Sequence, residues 1–124
     1  MSKVAVYGSL RKGMGNHGLL VAVGAALVST ERVSGLNMVS LGGYPAVYES
    51  VGDITIEVYD VAHNEEESMR RLDRLEGFPT FYNRKLIETS QGPAWIYFMP
   101  EEQLAHRRAV PNGDWVEYYG RHDE

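Results

Sequence analysis

Apolar and polar positions alternate most cleanly over Ile54–Val61. Ile54, Ile56 and Val58 fall on one side, and Thr55, Glu57 and Tyr59 on the other. That period of two predicts a half-buried strand, entered from a turn at Gly52-Asp53. The same reasoning predicts strands over Val4–Tyr7, over the apolar residues after Gly24, over Thr30–Ser34, Leu36–Leu41 and Ala46–Glu49, over Tyr82–Thr89 and over the aromatic run Ala94–Met99. Gly42-Gly43-Tyr44-Pro45 and Gln91-Gly92-Pro93 read as turns, and so does Asn112-Gly113-Asp114. Leu19–Val23 leaves room for a short helical turn before Gly24, and Arg11–Gly18 for an irregular loop.

The period changes to that of a helix over Asn64–Glu76. Asn64 suits an N-cap with Glu67 completing a capping box, and the acidic run Glu65–Glu67 suits the positive helix end. Glu66–Arg70 and Glu67–Arg71 are pairs four apart in the favourable order. Gly77 followed by Pro79 marks the stop. Residues 101–110 form a loop or weak helical turn, Trp115–Tyr119 closes the fold, and Gly120–Glu124 reads as a frayed polar tail. Many strands, hairpin-type turns and one main helix predict an α+β fold, a small, mixed, largely antiparallel β-barrel, as a single domain over residues 1–124.

Composition narrows the function. Hydrophobic residues make up 44% of the 124 residues, enough for a packed core. The net charge of −5 argues against a nucleic-acid surface and against an anionic membrane as partner. With no cysteine, a disulfide framework, a thiolate metal site and a cysteine nucleophile are all excluded. His17, His63, His106 and His122 lack metal-site spacing, so no metal is expected. Neither a signal peptide nor a membrane-length apolar run is visible, so a cytoplasmic protein is expected.

Two stretches carry candidate chemistry. The first is Val4–Leu10, where an apolar strand stops abruptly at Gly8-Ser9. Backbone N–H groups left unpaired at such a stop can converge on an anion, and Gly8 lets a ligand approach closely. On this stretch alone, a core strand followed by an ordinary turn is the plainer account. Arg11 and Lys12 could draw in an anion, although a solvated loop is the plainer account. The second stretch is the helix end. On a wheel of about 100° per residue with Met69 at zero, Leu72 falls at about 300°, Leu75 at about 240° and Glu76 at about 340°. Glu76 therefore lies on the apolar stripe, while Asp73 and the arginines are expected to face away from it. Burial and the negative helix end both favour the neutral form of a carboxyl placed there, and a carboxyl near neutral pKa can serve as acid and base. Geometry alone leaves open that Glu76 bends outward or pairs with an arginine.

Tyr7-Gly8-Ser9-Leu10, together with Leu72-Asp73-Arg74-Leu75-Glu76-Gly77 followed by Tyr82 and Arg84, resembles the gamma-glutamylcyclotransferase-like family. Gly43-Tyr44-Pro45-Ala46-Val47, Glu57-Val58-Tyr59, Ala94-Trp95-Ile96-Tyr97 and Gly113-Asp114-Trp115 agree in the same order, so the likeness runs from Val4 to Tyr119. Ile56 departs from it, where the family commonly has glycine. The resemblance implies a fold around a β-barrel and a pocket between the Tyr7–Leu10 loop and the glutamate. It also implies cyclisation of a small-molecule γ-glutamyl compound to 5-oxoproline, with no cofactor. Glu76 would be the catalytic acid/base, and Tyr7, Gly8, Ser9, Leu10 and Tyr82 would bind substrate. The alternatives are a binding module without turnover and an enzyme acting on a γ-glutamyl group attached to a larger partner. Selectivity is expected from the loops at Arg11–Gly18, Gly42–Pro45 and His106–Asp114. The leaving group and the oligomeric state are left open.

Overall fold

The computed structural model describes residues 3–104 and 106–122, the last two as backbone only. Its elements run β1 (Lys3–Val6), α1 (His17–Ala22), β2 (Ala26–Ser40), β3 (Pro45–Asp60), α2 (Glu65–Glu76), β4 (Asn83–Thr89), β5 (Gly92–Phe98), β6 (Arg108–Ala109) and α3 (Trp115–His122). The strands form one sheet in the order β4-β5-β1-β3-β2-β6, antiparallel except where β1 runs parallel to β5. The barrel expected from sequence is a curled, open sheet of six strands. The curl brings the β4–β5 turn to β2, where the Ser90 N–H donates to the Glu31 carboxylate at 2.9 Å.

The strands expected at Thr30–Ser34 and Leu36–Leu41 are one element, and so are those at Ala46–Glu49 and Ile54–Val61. Ser34 still pairs with Asp53, and Leu36 then pairs with Glu49. The glycines read as breakers mark a bulge instead. Gly35 takes a φ of +89°, where a side chain is disfavoured, and the ribbon bends there without ending. The Gly52-Asp53 turn is therefore absent, because both residues lie inside β3.

Alternation puts Val4 and Val6 of β1 on one face and Ala5 and Tyr7 on the other. The first face packs with Leu20 of α1 and Leu72 of α2. The second packs with Ile54, Ile56 and Trp115. Trp115–Tyr119 and most of the expected frayed tail are helical. Asp114 supplies the cap: its Oδ1 accepts from the Glu117 N–H at 3.2 Å, and its carbonyl from the Tyr118 N–H at 3.0 Å. At α2 the capping box does not form. Asn64 precedes the helix without a side-chain cap bond, and Glu67 pairs with Arg70 and Arg71. Among the described residues no helix is long and apolar enough to cross a membrane.

Candidate active site

β1 stops at Val6, and the chain turns at once. The Arg11 N–H donates to the Gly8 carbonyl at 3.0 Å, closing a β-turn with Ser9 and Leu10 at its corners. The turn fits only because residue 8 is glycine: a Cβ there would lie 2.7 Å from the Pro45 ring. The N–H groups of Gly8, Ser9 and Leu10 donate to no group among the described residues.

The following segment clamps this turn. The Asn16 N–H donates to the Ser9 carbonyl at 2.8 Å, and Asn16 Nδ2 to Ser9 Oγ at 2.9 Å. His17 Nδ1 lies 2.9 Å from the Leu10 carbonyl, which can only accept, so Nδ1 carries a proton. Arg11 departs from the solvated reading. It is buried, with Nε donating to Glu57 at 2.9 Å and Nη1 to Asp114 at 2.9 Å. Glu57 also accepts from the Lys12 N–H at 2.9 Å and from the Tyr59 hydroxyl at 2.8 Å. The turn is thereby tied to β3 and to the start of α3.

On the other side α2 ends in a Schellman motif, with Gly77 at a φ of +66°. The Phe78 N–H donates to the Asp73 carbonyl at 2.9 Å, and the Gly77 N–H to the Arg74 carbonyl at 3.3 Å. The chain doubles back, and the Tyr82 N–H donates to the Glu76 carbonyl at 3.3 Å, which sets Tyr82 beside Glu76. Asp73, expected to face outward, is part-buried. Arg84 Nη1 donates to both of its oxygens at 2.6 Å, and the Tyr97 hydroxyl donates at 2.7 Å. The Arg84 guanidinium lies over the rings of Phe78 (4.5 Å) and Trp95 (4.7 Å). This clamp fixes the helix end that carries Glu76.

Tyr7, Gly8, Ser9, Leu10, Glu76 and Tyr82 all line one cavity of about 320 Å³. Among the described residues Glu76 is the one charged side chain on its wall. Burial pushes the Glu76 carboxyl up from 4.5 to about 7. Tyr7 and Tyr82 are raised too, by burial first; the charge of Glu76 adds to both. Both remain neutral phenols. The Tyr7 hydroxyl donates to the Tyr97 carbonyl at 2.8 Å, and that of Tyr82 to the Pro45 carbonyl at 2.6 Å. Both protons are committed; the Tyr7 oxygen also accepts from the Val47 backbone, while the Tyr82 oxygen keeps its lone pairs available.

Several lining residues escape sequence reasoning. Asn16 reaches the cavity from the Arg11–Gly18 loop, and Tyr44 from the Gly42–Pro45 turn, the two loops expected to matter. The third, His106–Asp114, contributes no lining residue; its first part lies in a separate shallow cleft with Ser40–Gly42. Leu75, placed on the apolar stripe, is 40% exposed and sits at the cavity. Trp115 is fully buried in the core and does not reach the cavity. The described residues hold no cluster of three His, Asp or Glu side chains suited to a metal.

Residues 4–117 match the family model for gamma-glutamyl cyclotransferase, AIG2-like proteins. A putative gamma-glutamylcyclotransferase of Vibrio cholerae is 37% identical over 92% of this chain and 95% of its own length. Another from Methanocaldococcus jannaschii is 33% identical over 97% of this chain and all of its own length. Among solved structures, an uncharacterized protein from Pyrococcus horikoshii superposes with a TM-score of 0.80 at 25% identity, covering 99% of this chain and 97% of the other. The chain belongs to the gamma-glutamyl cyclotransferase, AIG2-like family.

Proposed function

We propose that this chain is a cytoplasmic enzyme that cyclises a small γ-glutamyl amide to 5-oxoproline and releases the amine, with Glu76 as acid and base. One observation carries the reading. A lone carboxyl near neutral pKa shares a small cavity with a turn whose N–H groups have no partner among the described residues.

The γ-glutamyl head carries an α-carboxylate and an α-ammonium. The N–H groups of Gly8, Ser9 and Leu10 hold the carboxylate. Tyr7 and Tyr82 wall the head, and Tyr82 offers a lone pair to the ammonium. Glu76, ionised, takes a proton from that ammonium, and the freed nitrogen attacks the γ-carbonyl of the same molecule. A new C–N bond closes the five-membered ring. The old C–N bond breaks as Glu76 returns the proton to the departing nitrogen. In all, the attacking nitrogen sheds two protons and the leaving nitrogen gains two, so Glu76 shuttles each in turn. Tethering of nucleophile and electrophile supplies much of the rate. The chemistry is proton transfer and acyl transfer alone, so it calls for no cofactor.

A binding module would gain nothing from an ionisable group held near pH 7, and a cavity of about 320 Å³ favours a small amide over a macromolecular partner. The test is release of 5-oxoproline from a panel of γ-glutamyl amides differing in the amine. Release from at least one member supports the reading. No release from any member, by folded protein, overturns it.

A further inference from the structure

The cavity has a buried end and an open end of different chemistry. Its buried wall holds the tyrosines of the site, with Tyr7, Tyr82 and Tyr97 each at most 6% exposed. The large apolar side chains of its open end are Tyr44, Leu75 and Phe81, 41%, 40% and 45% exposed, beside the exposed Gly43 and Asn16. They come from separate places, the β2–β3 turn, the last turn of α2 and the segment after it, yet they converge. The Tyr44 and Phe81 rings stand 6.3 Å apart and tilted, and Phe81 meets Tyr82 edge-on at 5.0 Å. Large apolar side chains held half in water, grouped at the mouth of a cavity, form a surface whose burial by a ligand is favourable. This rim adds no charged group to the wall.

Building on the γ-glutamyl reading above, we infer that Tyr44, Leu75 and Phe81 form a leaving-group subsite that selects γ-glutamyl amides whose amine carries an apolar or aromatic body. The head and the reacting carbonyl fill the buried end, so the departing amine projects over this rim. An aromatic or branched aliphatic body covers the exposed ring faces there. A polyol or ether body of the same length leaves those ring faces wet.

The experiment compares two substrates whose amines have similar basicity, the γ-glutamyl amide of phenethylamine and that of 2-(2-hydroxyethoxy)ethanamine. It reads kcat/KM for 5-oxoproline release by wild type, Tyr44→Ser and Phe81→Ser. In parallel, calorimetry measures the Kd of both amides. The wild type should favour the phenethylamide by about tenfold, the scale of a ring partly buried on an apolar wall. Each serine variant should shrink that ratio toward one. Equal turnover of the two amides by wild type overturns the subsite and leaves the cyclotransferase reading standing. A preference that survives in both variants also overturns it. Absence of turnover from either amide counts against the reaction, and the Kd values then decide the subsite. About tenfold tighter binding of the phenethylamide, lost in the variants, supports it; equal or undetectable binding overturns it.

Discussion

Replacing Glu76 by Gln should stabilise the protein in a pH-dependent way. Below about pH 4 the Glu76 carboxyl is protonated in both folded and unfolded chains, so wild type and Glu76→Gln should be similarly stable. As the pH rises, the unfolded chain ionises first, at about 4.5, while the folded carboxyl holds its proton to about 7. The unfolded state then binds fewer protons, so wild-type stability falls across this window and levels off above pH 7. Each pH unit of that gap corresponds to about 1.4 kcal/mol, so the wild type should lose about 3 kcal/mol relative to the variant between pH 4 and pH 8. In a chain of this size that is roughly 10 °C in Tm. Gln matches the side chain in shape and leaves no buried charge. Urea denaturation of both proteins at pH 4, 6 and 8 reads the difference and cancels the titration of every other carboxylate. A stability difference that stays constant with pH would refute the assignment of a desolvated carboxyl.

Three further outcomes follow from the same geometry. Gly8→Ala drives a methyl into the Pro45 ring, where a Cβ would stand at 2.7 Å; it should cost about 1–3 kcal/mol in urea denaturation and sharply lower turnover. Arg11→Met removes the counter-ion of the buried Glu57 side chain, 7% exposed, and should cost about 3–5 kcal/mol. Adding Glu57→Gln should restore a large part of that stability, which a double-mutant cycle in urea measures. The pH profile of kcat/KM should rise through about pH 7 as Glu76 ionises, and that limb should be missing from any residual activity of Glu76→Gln.

Local signals made the main parts of the site legible. The abrupt stop at Gly8-Ser9 announced a turn, and the wheel placed Glu76 on the inward stripe, because both features depend on neighbours within a few residues. Burial raises the Glu76 carboxyl, as its place on the inward stripe implies. Asp73 reads as outward although the wheel sets it at about 40°, at the edge of the stripe beside Met69; its partners Arg84 and Tyr97, 11 and 24 residues away, hold it part-buried. Arg11 looked like a loop cation for a similar reason, as its partners are 46 and 103 residues distant. Gly35 and Gly52 look like strand ends in one dimension, and only pairing across the ribbon shows a bulge. The third helix was missed with a signal at hand, since Asp114 and Glu117 stand at capping-box spacing. The rim of Tyr44, Leu75 and Phe81 had no such signal, since the sheet and the doubled-back chain alone bring it together.

The central claim is that Glu76 carries the protons of the ring closure. Its most direct test is single-turnover release of 5-oxoproline at pH 8 by wild type and Glu76→Gln, using whichever γ-glutamyl amide the wild type turns over fastest. Circular dichroism and substrate affinity confirm that the variant remains folded and binds. The account predicts that the variant binds the amide and releases 5-oxoproline at least about a hundredfold more slowly, the scale of a lost general acid/base. Release by the variant at the wild-type rate would contradict it.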